Sequence, residues 1–335
     1  MNKLWIAAAA LGGAAALAAG CGGTSEAGGG ASGSGSTKLA LAAYSTPREA
    51  YAELIPAFAA TPAGRGVSIS QSYGSSGEQS RAVEAGLPAD VVAFSLAPDV
   101  IRLVEAGIVA PDWAADGHHG MVTDSVVVLA VRKGNPKGIR GWDDLVQPGV
   151  EVITPNPFTS GGARWNVMAA YGAQLEQGKS KQQAVQYLRD LFANVSVQDK
   201  SARESLQTFS GGKGDVLIAY ENEAITAQQA GQPLEYVIPD QTILIENPVA
   251  VTKDAPAQAK AFVDYLRTPA AQRVFAAKGY RSILPALADE ARYPTPQTLF
   301  SIAYLGGWDA VTSEFFDRED GIVADIQRDL GEPTE

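Results

Sequence analysis

Thr154-Pro155-Asn156-Pro157-Phe158-Thr159-Ser160-Gly161-Gly162-Ala163-Arg164-Trp165 is the stretch whose reading decides the fold. The short β-like run 150–153 precedes it, and Trp165, Met168, Ala169, Gly172 and Leu175 follow at helical spacing. It is therefore a strand, a proline-stiffened turn and a helix start. Thr159 and Ser160 are favoured N-cap residues, and Gly161 and Gly162 let the backbone come close to a ligand. The first amide N–H groups of a helix have no intrahelical acceptor, and the helix dipole puts positive charge beside them. Such a turn suits phosphate, sulfate or a carboxylate without a facing Lys or Arg. A capped turn with no ligand would satisfy the same residues, so this string alone leaves both readings open.

The same grammar recurs on either side. A buried strand over 39–43 leads into Thr46-Pro47-Arg48-Glu49, an N-cap, a proline at the first helical position and a glutamate placed for a capping box. A strand over 67–70 leads into Tyr73-Gly74-Ser75-Ser76-Gly77-Glu78-Gln79, and one over 195–197 into Asp199-Lys200-Ser201-Ala202-Arg203-Glu204-Ser205. Strand-like 215–219 ends in Tyr220-Glu221-Asn222-Glu223. Short strands alternating with helices of about ten to fifteen residues indicate parallel α/β sheets, with ligands beyond the carboxyl ends of the strands. The runs 125–131 and 248–252 suit strands that cross between two lobes. Helices are expected at 97–106, 180–192, 255–266, 270–278, 299–305 and 311–316, with a frayed acidic end.

Charge narrows the function. The 335-residue chain carries −11, which disfavours a nucleic-acid partner and obliges any bound anion to be held by local dipoles rather than by the overall field. Lys3 and the apolar stretch 4–19 read as a signal peptide, too short and alanine-rich for a secure transmembrane span. Leu17-Ala18-Ala19-Gly20-Cys21 is similar to a bacterial lipobox, which would make Cys21 a lipid-bearing N-terminus. Cys21 is the only cysteine, so no intramolecular disulfide forms. The Gly, Ser and Ala composition of 22–37 reads as a flexible tether.

The string Val152-Ile153-Thr154-Pro155-Asn156-Pro157 with Ser160-Gly161-Gly162-Ala163-Arg164-Trp165-Asn166 resembles the periplasmic sulfate-binding proteins of bacterial ABC importers. So do Arg132-Lys133-Gly134-Asn135-Pro136-Lys137, Trp142-Asp143-Asp144-Leu145 and Gly214-Asp215-Val216-Leu217-Ile218-Ala219-Tyr220-Glu221-Asn222-Glu223-Ala224. The resemblance runs from about Leu39 to Trp308. It implies a two-lobed type II periplasmic-binding-protein fold, each lobe a mostly parallel sheet flanked by helices. The expected organisation is a leader at 1–20, a tether at 21–37, a first lobe at 38–123 and 247–335, and a second at 124–246.

By the same resemblance the ligand is sulfate, with thiosulfate or molybdate as alternatives. The binding residues are Ser76, Ser160, Gly161, Gly162, Ala202 and Tyr220. Tyr220 stands where related sulfate binders carry a tryptophan, and Ser45 where they carry an aspartate. Arg164 and Arg203 are expected to brace the donor turns rather than touch the ligand. The implied partners are ABC permease subunits with their ATPase, and the membrane through a lipid anchor, for a monomeric extracytoplasmic receptor.

An enzyme is the rival class. His118 and His119 are adjacent in a glycine-flanked loop, a poor metal pair or triad. Gly211-Gly212-Lys213-Gly214 lacks P-loop spacing, and no Gly-x-Ser-x-Gly elbow occurs. Glu221 and Glu223 read as caps or interface braces rather than as an acid–base pair. No metal or cofactor is expected. A sensory binding protein without transport remains a third reading.

Overall fold

A computed structural model describes residues 36–332 and 334. The leader, Cys21 and almost all of the tether lie outside the described residues. In chain order the elements are β1 (Thr37–Tyr44), α1 (Arg48–Ala59), β2 (Val67–Gly74), α2 (Ser76–Glu84), β3 (Val91–Ala93), α3 (Ala97–Glu105) and β4 (Met121–Arg132). Then come β5 (Val152–Ile153), α4 (Gly161–Glu176), α5 (Lys181–Ala193), β6 (Val195–Val197), α6 (Ala202–Ser210), β7 (Val216–Tyr220), α7 (Glu221–Gln229) and β8 (Leu234–Val237). The chain continues through β9 (Gln241–Val251), α8 (Ala257–Leu266), α9 (Pro269–Ala277), β10 (Thr298–Phe300), α10 (Gly307–Phe316) and α11 (Ile322–Leu330).

The sheet path runs β2-β1-β3-β9-β4-β7-β5-β6. At its two ends the pairing is parallel, β1 with β2 and β3, and β5 with β6 and β7. At its centre β4 and β9 are antiparallel to each other and each reaches into one flank, β9 to β3 and β4 to β7. These two long strands are the crossing segments, and they make the lobes only partly parallel.

Two sets of apolar side chains follow this division. Leu39, Tyr51, Phe58, Val249, Phe262 and Phe275 belong to the core of the first lobe. Trp142, Trp165, Tyr171, Leu188 and Ile218 belong to that of the second. The buried face of α5 shows the local logic: Ser180 caps it in a capping box with Gln183, and Ala184, Tyr187, Leu188 and Leu191 recur at helical spacing. With Leu188 wholly enclosed, Leu188→Ala is expected to cost about 2–5 kcal/mol.

Three expectations change at the C-terminal end and at α1. Residues 298–300 form β10, parallel to β9, and Ile302–Leu305 only a 3-10 turn, so no helix covers 299–305. The acidic end is a helix, α11, with Val323, Ala324, Ile326 and Gln327 buried. Phe300, Val311, Phe315, Val323 and Ile326 join the core built around Trp165 and Leu191. At α1, Pro47 rather than Thr46 holds the cap position, and the Thr46 hydroxyl instead reaches Glu223 Oε1 at 3.4 Å across the lobes.

Candidate functional site

Six strand ends and the turns after them converge between the lobes. From the first lobe come Tyr44, Ser45 and Thr46 after β1, Gly74, Ser75 and Ser76 after β2, and Ser95 after β3. Facing them are Ser160 and Gly162 before and in α4, Ser201 and Ala202 at α6, and Tyr220 at the end of β7. The space they enclose is about 10 Å3, room for one compact group held in contact on all sides.

Backbone geometry makes this wall a set of donors. Among the described residues, the amides of Ser76, Gly161, Gly162 and Ala202 have no acceptor in the chain. All four stand in the first turn of a helix, where the i−4 carbonyl is missing. Ser160 caps α4, its Oγ accepting from the Ala163 amide at 3.4 Å, which leaves its proton free to donate outward. Ser201 caps α6 in the same way through the Glu204 amide at 3.3 Å.

Side chains refine the expectation. The Ser76 hydroxyl donates to Asp99 Oδ2 at 2.5 Å and accepts from the Ser95 amide at 2.9 Å, so its contribution to a ligand is the amide. Burial pushes the Asp99 carboxyl up, against the pull of Arg164 and of the Ser76 hydroxyl. Tyr220 Oη and Ser95 Oγ share a hydrogen bond of 2.7 Å. Burial pushes the Tyr220 phenol well up, so it keeps its proton. The pair then has two protons, one spent between the two oxygens and one left to present outward. Tyr44 Oη is buried beside Tyr280, and burial pushes its phenol well up.

Both arginines turn away from the cavity. Arg203 Nη2 pairs with Glu49 Oε2 at 2.5 Å, and its Nε donates to the Ser45 carbonyl at 3.3 Å, tying α6 to the first lobe. Arg164 Nε donates to the Pro157 carbonyl at 3.0 Å and its guanidinium lies 4.8 Å from the Phe316 ring centroid. Glu223 accepts from the Tyr220 amide at 3.4 Å, and burial raises its carboxyl to about 7. Its neighbour Glu221 forms a buried ion pair with Arg281 at 2.7 Å. Glu204 is exposed to solvent.

The lobes are in contact around the cavity. Trp165 Nε1 and Asn247 Nδ2 both donate to the Ser95 carbonyl, at 2.8 and 3.0 Å. A Cβ on Gly161 would lie 2.4 Å from Leu96, and one on Gly77 2.9 Å from the Thr159 carbonyl oxygen, so both glycines are needed for this approach. Of the residues expected from sequence, Ser45, Ser76, Ser160, Gly162, Ala202 and Tyr220 line one cavity, while Gly161 sits just behind it against Ser95. Ser95, Tyr44 and Asn247 were not foreseen; Tyr44 and Ser95 share the position at or just past a strand's carboxyl end that marked the others. Among the described residues no cluster of His, Cys, Asp or Glu could hold a metal ion.

The profile for bacterial extracellular solute-binding proteins matches residues 39–281. A sulfate-binding protein of Synechococcus elongatus is 43% identical over 311 residues, covering 89% of this chain and 89% of that protein. A thiosulfate-binding protein of Escherichia coli is 37% identical, covering 84% and 88%. Among solved structures, the sulfate-binding protein SubI from Mycobacterium tuberculosis H37Rv superposes with a TM-score of 0.82 at 45% identity, covering 84% of this chain and all of that one. With its two lobes closed on a pocket of helix-start amides, this chain belongs to the bacterial extracellular solute-binding protein family.

Proposed function

We propose that this protein is an extracytoplasmic receptor that captures sulfate between its lobes and delivers it to an ABC importer. The observation that carries the reading is the convergence of the unpaired amides of Ser76, Gly162 and Ala202, with that of Gly161 just behind, and the hydroxyls of Ser160 and Tyr220 around one small space. Sulfate at neutral pH is an acceptor on every oxygen, so a wall of donors satisfies it. Hydrogen phosphate brings a proton that meets only donors, and a stranded buried group costs about 1–3 kcal/mol. The Tyr220–Ser95 pair has one proton to present to the ligand, in keeping with this preference. The names of the relatives support the same ligand.

Closure from an open form would bring Ser76 against the α4 and α6 starts, exclude water and strengthen each hydrogen bond. In this reading the protein performs no chemistry, and the closed form, monomeric and tethered through a lipid on Cys21, presents both lobes to the permease. Tethering would keep its local concentration at the membrane high. Trp165 spans the lobes, so its fluorescence should change on sulfate addition, and an aryl sulfate ester should be neither bound nor cleaved. Turnover of the ester would overturn the receptor reading in favour of an enzyme.

A further inference from the structure

A cavity of about 640 Å3 lies between α3 and the chain from α10 to Glu319, and it shares no lining residue with the pocket between the lobes. Arg102, Arg164 and Arg318 line it, and Arg81 of α2 is close enough that the charges of Arg102 and Arg318 add to burial in lowering its pKa. Burial, with repulsion from Arg102, Arg81 and Arg318, holds Arg164 at about 10 against the attraction of Asp99. Among the described residues, Arg81, Arg164 and Arg318 form no ion pair. Arg102 reaches only Glu84, at 3.7 Å, and its Nε is buried without a partner. Asp99, the acid on the inner wall, is already engaged by the Ser76 hydroxyl.

Arg81, Arg102 and Arg164 gather about the inner wall, where Asp99 is the lining acid, and their mutual repulsion costs energy. A bound anion returns it, and the planar donor forks of arginine match a tetrahedral oxyanion. The mouth has the opposite sign. Glu105, Asp309, Asp317 and Glu319 are exposed there beside the exposed Arg318, and Pro98, Ile101 and Phe316 supply apolar surface. An occupant therefore enters anionic end first and ends in a cation.

We propose that this cavity binds a small zwitterion with one phosphate or sulfonate head, held by Arg102, Arg164 and Arg318, and an amine toward the acidic mouth. The assignment is independent of the sulfate reading. Calorimetry on the full chain, with sulfate just saturating the first pocket, is run with O-phosphoethanolamine as the probe. One equivalent should bind, and the Arg102→Ala/Arg318→Ala double variant should bind it about tenfold or more weakly while its sulfate affinity stays unchanged. Propyl phosphate, with the same head and no amine, should bind several-fold more weakly. No binding of O-phosphoethanolamine overturns the proposal, as does equal binding by the double variant or tighter binding of pyrophosphate. The same head group occurs free and on lipids. Co-sedimentation with vesicles of phosphatidylethanolamine and phosphatidylcholine, lost in the double variant, would identify the lipid source. Binding of the free ester without vesicle capture would identify the soluble one.

Discussion

The two cavities hold anions, in this account, by opposite means. The pocket between the lobes is about 10 Å3, closed, and walled by amides and hydroxyls, while its two nearby arginines point elsewhere. The cavity beside α3 is about 640 Å3, open to solvent, and lined by full charges, three guanidiniums with carboxylates around its mouth. Burying a full charge in a small dry space carries a desolvation cost of several kcal/mol per ion, whereas amide dipoles fixed by the fold are already stripped of water. Dipoles therefore suit the closed pocket and charges the open one. Dipoles also read geometry and protonation state more strictly than charges do.

Placing a charge in the dipole pocket should break the comparison most severely. A Cβ on Gly162 meets only ordinary contacts, 3.4–3.6 Å from Ser160, Ala202 and Tyr220. Gly162→Asp therefore introduces a carboxylate without a backbone clash, and sulfate affinity should fall roughly 100-fold or more, read by calorimetry on protein whose circular dichroism is unchanged. Next comes the loss of one dipole. Tyr220→Phe should weaken sulfate about tenfold, the worth of a hydrogen bond to a charged group. Equal affinity in this variant would mean the phenol serves Ser95 alone.

Removing a charge that only braces should matter less. Arg203→Ala loses the partly exposed pair with Glu49 and the bonds to the Ser45 and Thr46 carbonyls. Its expected effect on sulfate affinity is about threefold, seen as faster release in stopped-flow fluorescence. The smallest effect concerns buried charge away from both sites. Asp124 and Glu246 face each other across the β4–β9 crossing, and burial with Glu246 opposite raises Asp124 to about 7, partly offset by Arg281. Its folded-state pKa lies above the unfolded one, so its stabilisation is full below about pH 4 and lost as pH rises through 7. Asp124→Asn should raise the Tm by about 2–4 °C at pH 8 and lose that advantage at pH 5.

The anion turn was legible because its determinants are local. A cap residue, two glycines and a helical apolar face lie within a dozen positions around Ser160. Ser45, Ser76, Ala202 and Tyr220 were placed through resemblance, and the shared strand-to-helix grammar agrees with them. Ser95 and Tyr44 needed the strand order, because only the sheet brings β1, β3 and β7 ends together. Tertiary pairing also decided the C-terminal end, where contact with β9 turned 298–300 into a strand against a helical pattern. Acidic residues hid α11, whose Val323, Ala324 and Ile326 show their periodicity only against the partner surface.

The measurement that tests the central claim most directly is a calorimetric titration of the chain from Ser36 with sulfate, thiosulfate, molybdate and phosphate at pH 8. Tight, one-to-one sulfate binding with phosphate at least roughly 100-fold weaker is the result a pocket of fixed donors predicts. Phosphate binding as tightly as sulfate, or no heat from any of the four, would contradict it.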